Sequence, residues 1–232
     1  MIRALMEKCI AHLTPQGEST FFDVADFPWV AELESKWPVI RQELDQLLRC
    51  RDQIPNFQDI SQDQAILTEG EQWKTFFFHA YGHRADENCA CCPQTARLLE
   101  GIPGMKTAMF SILAPGKHIP EHRGPYKGVL RYHLGLIVPE PALCRIRVGN
   151  DIRRWEEGKS LVFDDSHPHE VWNDSTMHRT VLFVDFLRPL WFPLSLLNRI
   201  MVWKISSTPF ITTLMEQVGK FNAPMMSGSK DT

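Results

Sequence analysis

The amino-acid sequence predicts a mainly β protein, a sandwich or barrel of which the jelly roll is one form, with helices before it and a helical tail behind. Three observations carry that reading. From Lys106 the chain becomes a succession of strand-length apolar runs: KTAMFSIL (106–113), VLRYHLGLIV (129–138), CRIRV (144–148), SLVFDD (160–165) and RTVLFVDFL (179–187). Turn signals separate them, PG at 115–116, GND at 149–151 and EEG at 156–158, and strands at such spacing fit a sandwich or barrel. The composition, 44% hydrophobic and 23% charged over 232 residues, supplies an ordinary packed core and argues against disorder.

The first hundred residues have a different texture, helical and irregular. In WPVIRQELDQLLR (37–49), Ile40, Leu44, Leu47 and Leu48 share one helical face, and Pro38 suits a first turn. Residues 51–72 are polar and without apolar period, so they read as loop. WKTFFFHAYG (73–82) reads as a strand ending at Gly82, with Phe76, Phe77, Phe78 and Tyr81 as core aromatics or pocket walls. PQTARLLEG (93–101) reads as a short helix opened by Pro and closed by Gly.

The tail changes again. PLWFPLSLLNRIMVW (189–203) is rich in large apolar side chains, with Trp191 and Trp203 near its ends. It is short of the about 20 apolar residues a membrane span needs, and Asn198 and Arg199 interrupt it. Two readings stand: a helix packed on the core or on a second subunit of a homo-oligomer, and an interfacial helix giving peripheral membrane contact. Residues 223–232 read as frayed. With no internal repeat and no linker, one domain is expected over 1–232.

Net charge is −3 with both signs interspersed, which gives no electrostatic reason to propose nucleic acid as partner. The N-terminus, MIRALMEKCIAHL, has charges inside any apolar run and does not read as a signal peptide. A cytoplasmic protein, or one peripheral to the membrane, with free thiols is the expectation. The CACC cluster (89–92) lacks the second ligand pair of a structural zinc site and reads as loop thiols before Pro93.

Chemistry concentrates in two histidine-bearing segments. His122 opens HRGP in what reads as a loop between strands, and FDDSHPHEVW (163–172) reads as another histidine-bearing bend after a strand. A non-heme iron site holds its metal with two histidines and one carboxylate, usually as His-x-Asp plus a distant His. Here Gly124 stands where that carboxylate would be. Arg179 opens an apolar strand, where a buried guanidinium demands an anion. The carboxylate tail of a keto acid such as 2-oxoglutarate would satisfy it bidentately, and so would an internal salt bridge with Asp185 or Glu170.

The motifs FSILAPG (110–116), HRGP (122–125), LRYHLGL (130–136), WEEGKSLVFDDSHPHEVWND (155–174) and HRTVLFVDFLRP (178–189) resemble the aspartyl/asparaginyl β-hydroxylase family of Fe(II)/2-oxoglutarate dioxygenases. That family includes bacterial relatives that hydroxylate lipid A acyl chains. The resemblance covers about 106–190 and implies a double-stranded β-helix (jelly roll, cupin-like) over about 103–190. Helices before it (1–100) and a helical tail (191–222) complete the expected domain. It also resolves the missing carboxylate, because vertebrate members carry His-x-Gly and hold the metal with two histidines.

Carried over residue by residue, the resemblance implies His122 and His169 as the catalytic metal ligands for Fe(II). It implies Arg179 as the partner of the 2-oxoglutarate tail carboxylate, Ser111 as a hydroxyl near it, and Arg131 and His133 as pocket lining, with O2 as second cosubstrate. Water is expected at the third facial position. Glu121 and Glu170 point away from their neighbouring histidines, while Asp164 and Asp165 are expected to shape the turn. Hydroxylation at the β-carbon of an Asp/Asn-like group is the leading expectation for substrate. The alternatives are a lipid acyl chain, halogenation using the vacancy at Gly124, and a non-catalytic jelly-roll binding protein.

Overall fold

The computed structural model describes residues 2–15, 17–60, 70–81 and 83–206, so part of the expected 51–72 loop, the tail beyond Ser206 and the end at 223–232 lie outside the described residues. The elements run in the order α1 (Ile2–Leu13), β1 (Phe21–Phe22), α2 (Trp29–Ser35), α3 (Trp37–Leu47), α4 (Phe57–Ile60), β2 (Trp73–Ala80), β3 (His83–Arg84), α5 (Asp86–Cys91) and α6 (Pro93–Glu100). Then follow β4 (Met105–Leu113), β5 (Lys117–His122), β6 (Val129–Ile137), β7 (Cys144–Val148), β8 (Asp151–Arg154), β9 (Ser160–Phe163), β10 (His169–Asn173), β11 (Arg179–Leu187) and α7 (Leu194–Ser206).

Two antiparallel sheets face each other, one ordered β1-β9-β6-β11-β4-β2-β3 and the other β5-β10-β7-β8. Counted from β4, eight strands pair as first–eighth–third–sixth and second–seventh–fourth–fifth, which is the double-stranded β-helix. The larger sheet is covered on both faces. Strands such as β4 and β11 are therefore buried almost throughout, and their sequences read as continuous apolar runs rather than alternations. Between the sheets pack Trp73, Phe77, Leu113, Ile146, Trp155, Phe163, Val171, Val181 and Phe183. On the outer face of the larger sheet, Phe110, Tyr132, Leu134, Leu182 and Phe186 meet Ile40, Leu44 and Leu47 of α3 and Leu99 of α6. Each such aliphatic side chain contributes about 1.5–3 kcal/mol by leaving water.

Three corrections concern the smaller sheet. His122 is the last residue of β5, not part of a loop, and His169 opens β10 within the segment read as a bend. The GND segment does turn, but Asp151 already begins β8. β5 escapes a sequence reading because Pro120 interrupts it; the proline is tolerated because β5 is an edge strand. β8 is a charged, fully exposed ribbon without apolar alternation. A fourth correction falls on CACC: Cys89 and Cys91 lie in α5, with Cys89 and Cys92 packed into the core.

Candidate active site

The register of the smaller sheet brings the two histidines together. β5 and β10 are antiparallel neighbours, and His122 faces His169 directly across the ladder, their ring centroids 4.1 Å apart. Each ring is anchored at Nδ1, which donates to a backbone carbonyl, Pro120 for His122 (2.8 Å) and His167 for His169 (3.0 Å). In the neutral ring this tautomer leaves the lone pair on Nε2, the form a metal requires. Burial keeps both rings neutral. His122 lies below its ordinary value through desolvation, and His169 is pushed down to about 3 by desolvation, with the His122 and Arg131 charges adding to it.

The strand that carries His169 is fastened at both ends. At its start, the turn after β9 is held by Asp164, which accepts from Ser166 N (3.0 Å) and pairs with Arg188 (2.7 Å) and Lys127 (3.2 Å). At its end, Asn173 Nδ2 donates to Leu113 O, Ala114 O and Met177 O, fixing the loop that leads into Arg179.

Asp165 behaves differently from the expectation that it shapes the turn. Its carboxylate is buried and pairs with Arg131 Nη2 (2.8 Å), whose Nε reaches Asp185 Oδ1 (2.8 Å). A Cβ added at Gly124 would fall inside the Asp165 carboxylate, and Gly124 N donates to Asp165 O (2.8 Å). Glycine at the middle of His-x-Gly is thus a matter of space, because Asp165 occupies the volume a side chain at 124 would need. Burial raises Asp165 to about 7, with Asp185 and Asp164 adding to it and Arg131 opposing. Burial works against the Arg131 charge, but Asp165 and Asp185 outweigh it and hold its proton more tightly than usual.

Arg179, at the head of β11, is fully buried, and its Nε and Nη1 have no hydrogen-bond partner among the described residues. Its guanidinium lies over the Trp155 ring, 4.4 Å from the centroid, and burial lowers its pKa to about 10. The acids once considered for it are taken: Asp185 pairs with Arg131, and Glu170 with Arg147 and His118. Glu121 also pairs with Arg147 on the outer face, so both glutamates do point away from the histidines.

His133 is buried with neither ring nitrogen bonded among the described residues, stacked against Trp155 and edge-on to Phe163. Desolvation holds it neutral, helped by the charges of Arg131, Arg179 and His169. Ser111 Oγ accepts from Trp73 Nε1 (3.0 Å), which leaves its own proton to donate. Of the wall aromatics, Phe76 and Phe78 belong to the outer core and Phe77 to the layer between the sheets. Tyr81 lines a narrow cleft that ends on Arg131, Asp165 and Asp185. The sequence left Trp155 without a role and offered Asp185 only as a possible partner of Arg179; both lie in quoted motifs, but only the fold reveals what each faces.

Two neutral imidazoles are the donors available to a metal here; no group of three or more His, Cys, Asp or Glu side chains that could hold a metal occurs among the described residues. Such a pair suits an ion whose remaining positions are filled by oxygens of water or of a chelating cosubstrate. The orphaned donors of Arg179 fit a carboxylate.

The fold and this interior define a double-stranded β-helix enzyme with a histidine pair and a buried arginine, Arg179, in the same core. The chain belongs to the aspartyl/asparaginyl β-hydroxylase family, whose model matches residues 34–189, and is therefore a hydroxylase. It is 48% identical over 196 residues to an ornithine lipid ester-linked acyl 2-hydroxylase of Rhizobium tropici, covering 84% of this chain and 70% of that protein. It is 37% identical over 165 residues to human aspartyl/asparaginyl β-hydroxylase, covering 69% of this chain and 21% of that protein. The described residues contain no helix long and apolar enough to cross a membrane.

Proposed function

We propose that this chain is an Fe(II)- and 2-oxoglutarate-dependent dioxygenase that hydroxylates an acyl chain of a polar lipid. The observation that carries the oxygenase reading is Arg179, a buried guanidinium with no acid partner among the described residues, in the same interior as the histidine pair. A buried charge left unpaired costs several kcal/mol, on the order of 3–5, so its partner is to be sought in a ligand.

His122 and His169 would hold the iron through Nε2, their rings fixed by the carbonyls of Pro120 and His167. Arg179 would take the distal carboxylate of 2-oxoglutarate at Nε and Nη1, with the Ser111 hydroxyl as a second donor. Neutral His133 can offer an N–H to a ligand oxygen without adding charge. The apolar wall of Trp155, Phe163, Val181 and Phe183 excludes water from that end. Bound together, iron and 2-oxoglutarate supply oxidation of an unactivated C–H by O2, with release of succinate and CO2. Halogenation is disfavoured, because the Asp165 carboxylate already fills the space beside Gly124 that a halide would need.

The relative named for a lipid acyl 2-hydroxylase shares more of this chain, and at higher identity, than the one named for aspartyl/asparaginyl hydroxylation. The narrow cleft leading to Arg131 and Asp165 is amphipathic, with Tyr126, Val129, Val202 and Ile205 on its apolar side and Lys106 and Asp185 among its polar lining, a combination suited to a polar lipid. Both features favour the acyl chain over the Asp/Asn-like group.

An anaerobic titration with Fe(II), then 2-oxoglutarate, tests the cofactor assignment through the visible metal-to-ligand charge-transfer band. Wild type should develop it, His169→Ala should not, and Arg179→Ala should need roughly a hundredfold more 2-oxoglutarate. No band from folded wild-type protein would sink the reading. Aerobic incubation with an ornithine lipid, beside an Asp-containing peptide, decides the substrate: a lipid gaining one oxygen atom supports the proposal, and hydroxylation of the peptide alone overturns it.

A further inference from the structure

Helix α7 is apolar on two opposite sides. Leu194 and Val202 are buried, packing with Met6 and Ile10 of α1 and with Tyr126, and Asn198 between them is buried with its Nδ2 donating to Gly128 O. By helical periodicity Leu196, Ile200 and Trp203 form a stripe on the far side, and all three are exposed, Trp203 at 67%. A surface helix of a water-bathed domain carries charged or polar residues there. The apolar surface extends beyond the helix: Trp191 is 67% and Phe192 81% exposed, and both share a surface depression with Leu13 at the end of α1. The charges are one-sided. Arg199 and Lys204 flank the stripe on its two edges, and residues 189–206 contain no Asp or Glu.

We infer that α7 and the Trp191–Phe192 turn are a docking surface for an anionic lipid bilayer, holding the mouth of the cleft that leads to Arg131 and Asp165 against the membrane. An apolar stripe edged by long cationic side chains and bracketed by tryptophans is the arrangement that settles at headgroup depth. A second copy of this chain would set one cationic, acid-free face against another, whereas an anionic surface neutralises Arg199 and Lys204. The opposite side of the same helix supplies the second argument. Val202 and Ile205 wall the cleft that leads to Arg131 and Asp165. A lipid whose headgroup rests beside α7 therefore has its acyl chain at the cleft, without leaving the bilayer. The inference deepens the lipid reading of the substrate and rests on it for the choice of occupant.

The test is co-sedimentation of the full chain with vesicles of phosphatidylcholine alone and of phosphatidylcholine mixed with phosphatidylglycerol, alongside sedimentation velocity without lipid. Wild type should bind the mixed vesicles. Leu196→Gln with Ile200→Gln should weaken that binding by roughly tenfold or more. Arg199→Gln with Lys204→Gln should weaken it roughly twentyfold, on the anionic vesicles only and in the manner of added salt. Both double variants should keep the Fe(II)/2-oxoglutarate band, which shows that they fold. Wild type ignoring both vesicle types, or forming a dimer that Leu196→Gln with Ile200→Gln abolishes, would overturn the proposal. Vesicle binding without lipid turnover would leave the docking surface standing and sink the substrate reading. Turnover of detergent-dispersed lipid without vesicle binding would do the reverse.

Discussion

Arg131 and Arg179 stand in neighbouring strands of the same sheet, Arg131 largely and Arg179 fully buried, each guanidinium laid over an aromatic ring, Phe183 at 4.3 Å and Trp155 at 4.4 Å. The difference is the anions. Arg131 has two carboxylates, Asp165 and Asp185, and binds its proton more tightly than usual. Arg179 has none among the described residues, and burial pulls its pKa down to about 10. A fold that brings two acids to one arginine and leaves its neighbour without any has separated a structural charge from a receptive one.

Removing each charge in turn gives the largest effect and the most direct way to break the comparison. Arg131→Met leaves Asp165 and Asp185 facing each other without a cation, and should cost about 3–5 kcal/mol of stability in urea unfolding. Arg179→Met removes a charge with no partner, so the ligand-free protein should hold its stability or gain about 1–4 kcal/mol. Similar losses from both variants would mean that Arg179 is paired in solution and that the lone-cation argument fails.

How much of this was legible in the sequence divides along the same line. The strands of the larger sheet announce themselves, because covering both faces forces long apolar runs such as RTVLFVDFL. The strands that carry the histidines do not: KHIPEH is broken by a proline and HEVWN alternates over only five residues. Their pairing, His122 opposite His169, is a property of register between segments 47 positions apart and leaves no local signal. The resemblance to the family supplied what periodicity could not. Even so, it offered Arg131 only as pocket lining, and nothing in LRYH says that its guanidinium is held by acids at 165 and 185. The same holds for Gly124, whose vacancy is visible in the sequence while the carboxylate that fills it is not.

His133 offers a graded probe of the dry wall between the two arginines. Desolvation, then the charges of Arg131, Arg179 and His169, hold it well below 6.5 in the folded state, while the unfolded chain protonates near 6.5. The unfolded state therefore binds the extra proton below that pH, and stability contributed by the neutral ring is fully present above about 6.5 and falls as the pH drops. For this one group the slope is up to about 1.4 kcal/mol per pH unit. His133→Leu should remove that much of the slope between pH 6 and 5 in urea unfolding. An unchanged slope would show that water reaches the wall and that Arg179 is not desolvated.

The smallest expected effect separates the two rings. Trp155 lies under the arginine proposed to receive a ligand and Phe183 under the one already neutralised. A desolvated cation over an aromatic face gains about 1–2 kcal/mol, and the gain matters most where the cation must stay charged and aimed before its anion arrives. Trp155→Leu should therefore weaken 2-oxoglutarate binding roughly fivefold in the charge-transfer titration. Phe183→Leu should leave that affinity alone and act only through packing, at about 1 kcal/mol of stability. Because affinity is measured on the folded fraction, a packing defect shared by both variants cancels from the comparison. If Phe183→Leu weakens 2-oxoglutarate binding as much as Trp155→Leu does, Arg131 and Arg179 form one cationic pocket, and the division between structural and receptive arginine must be given up.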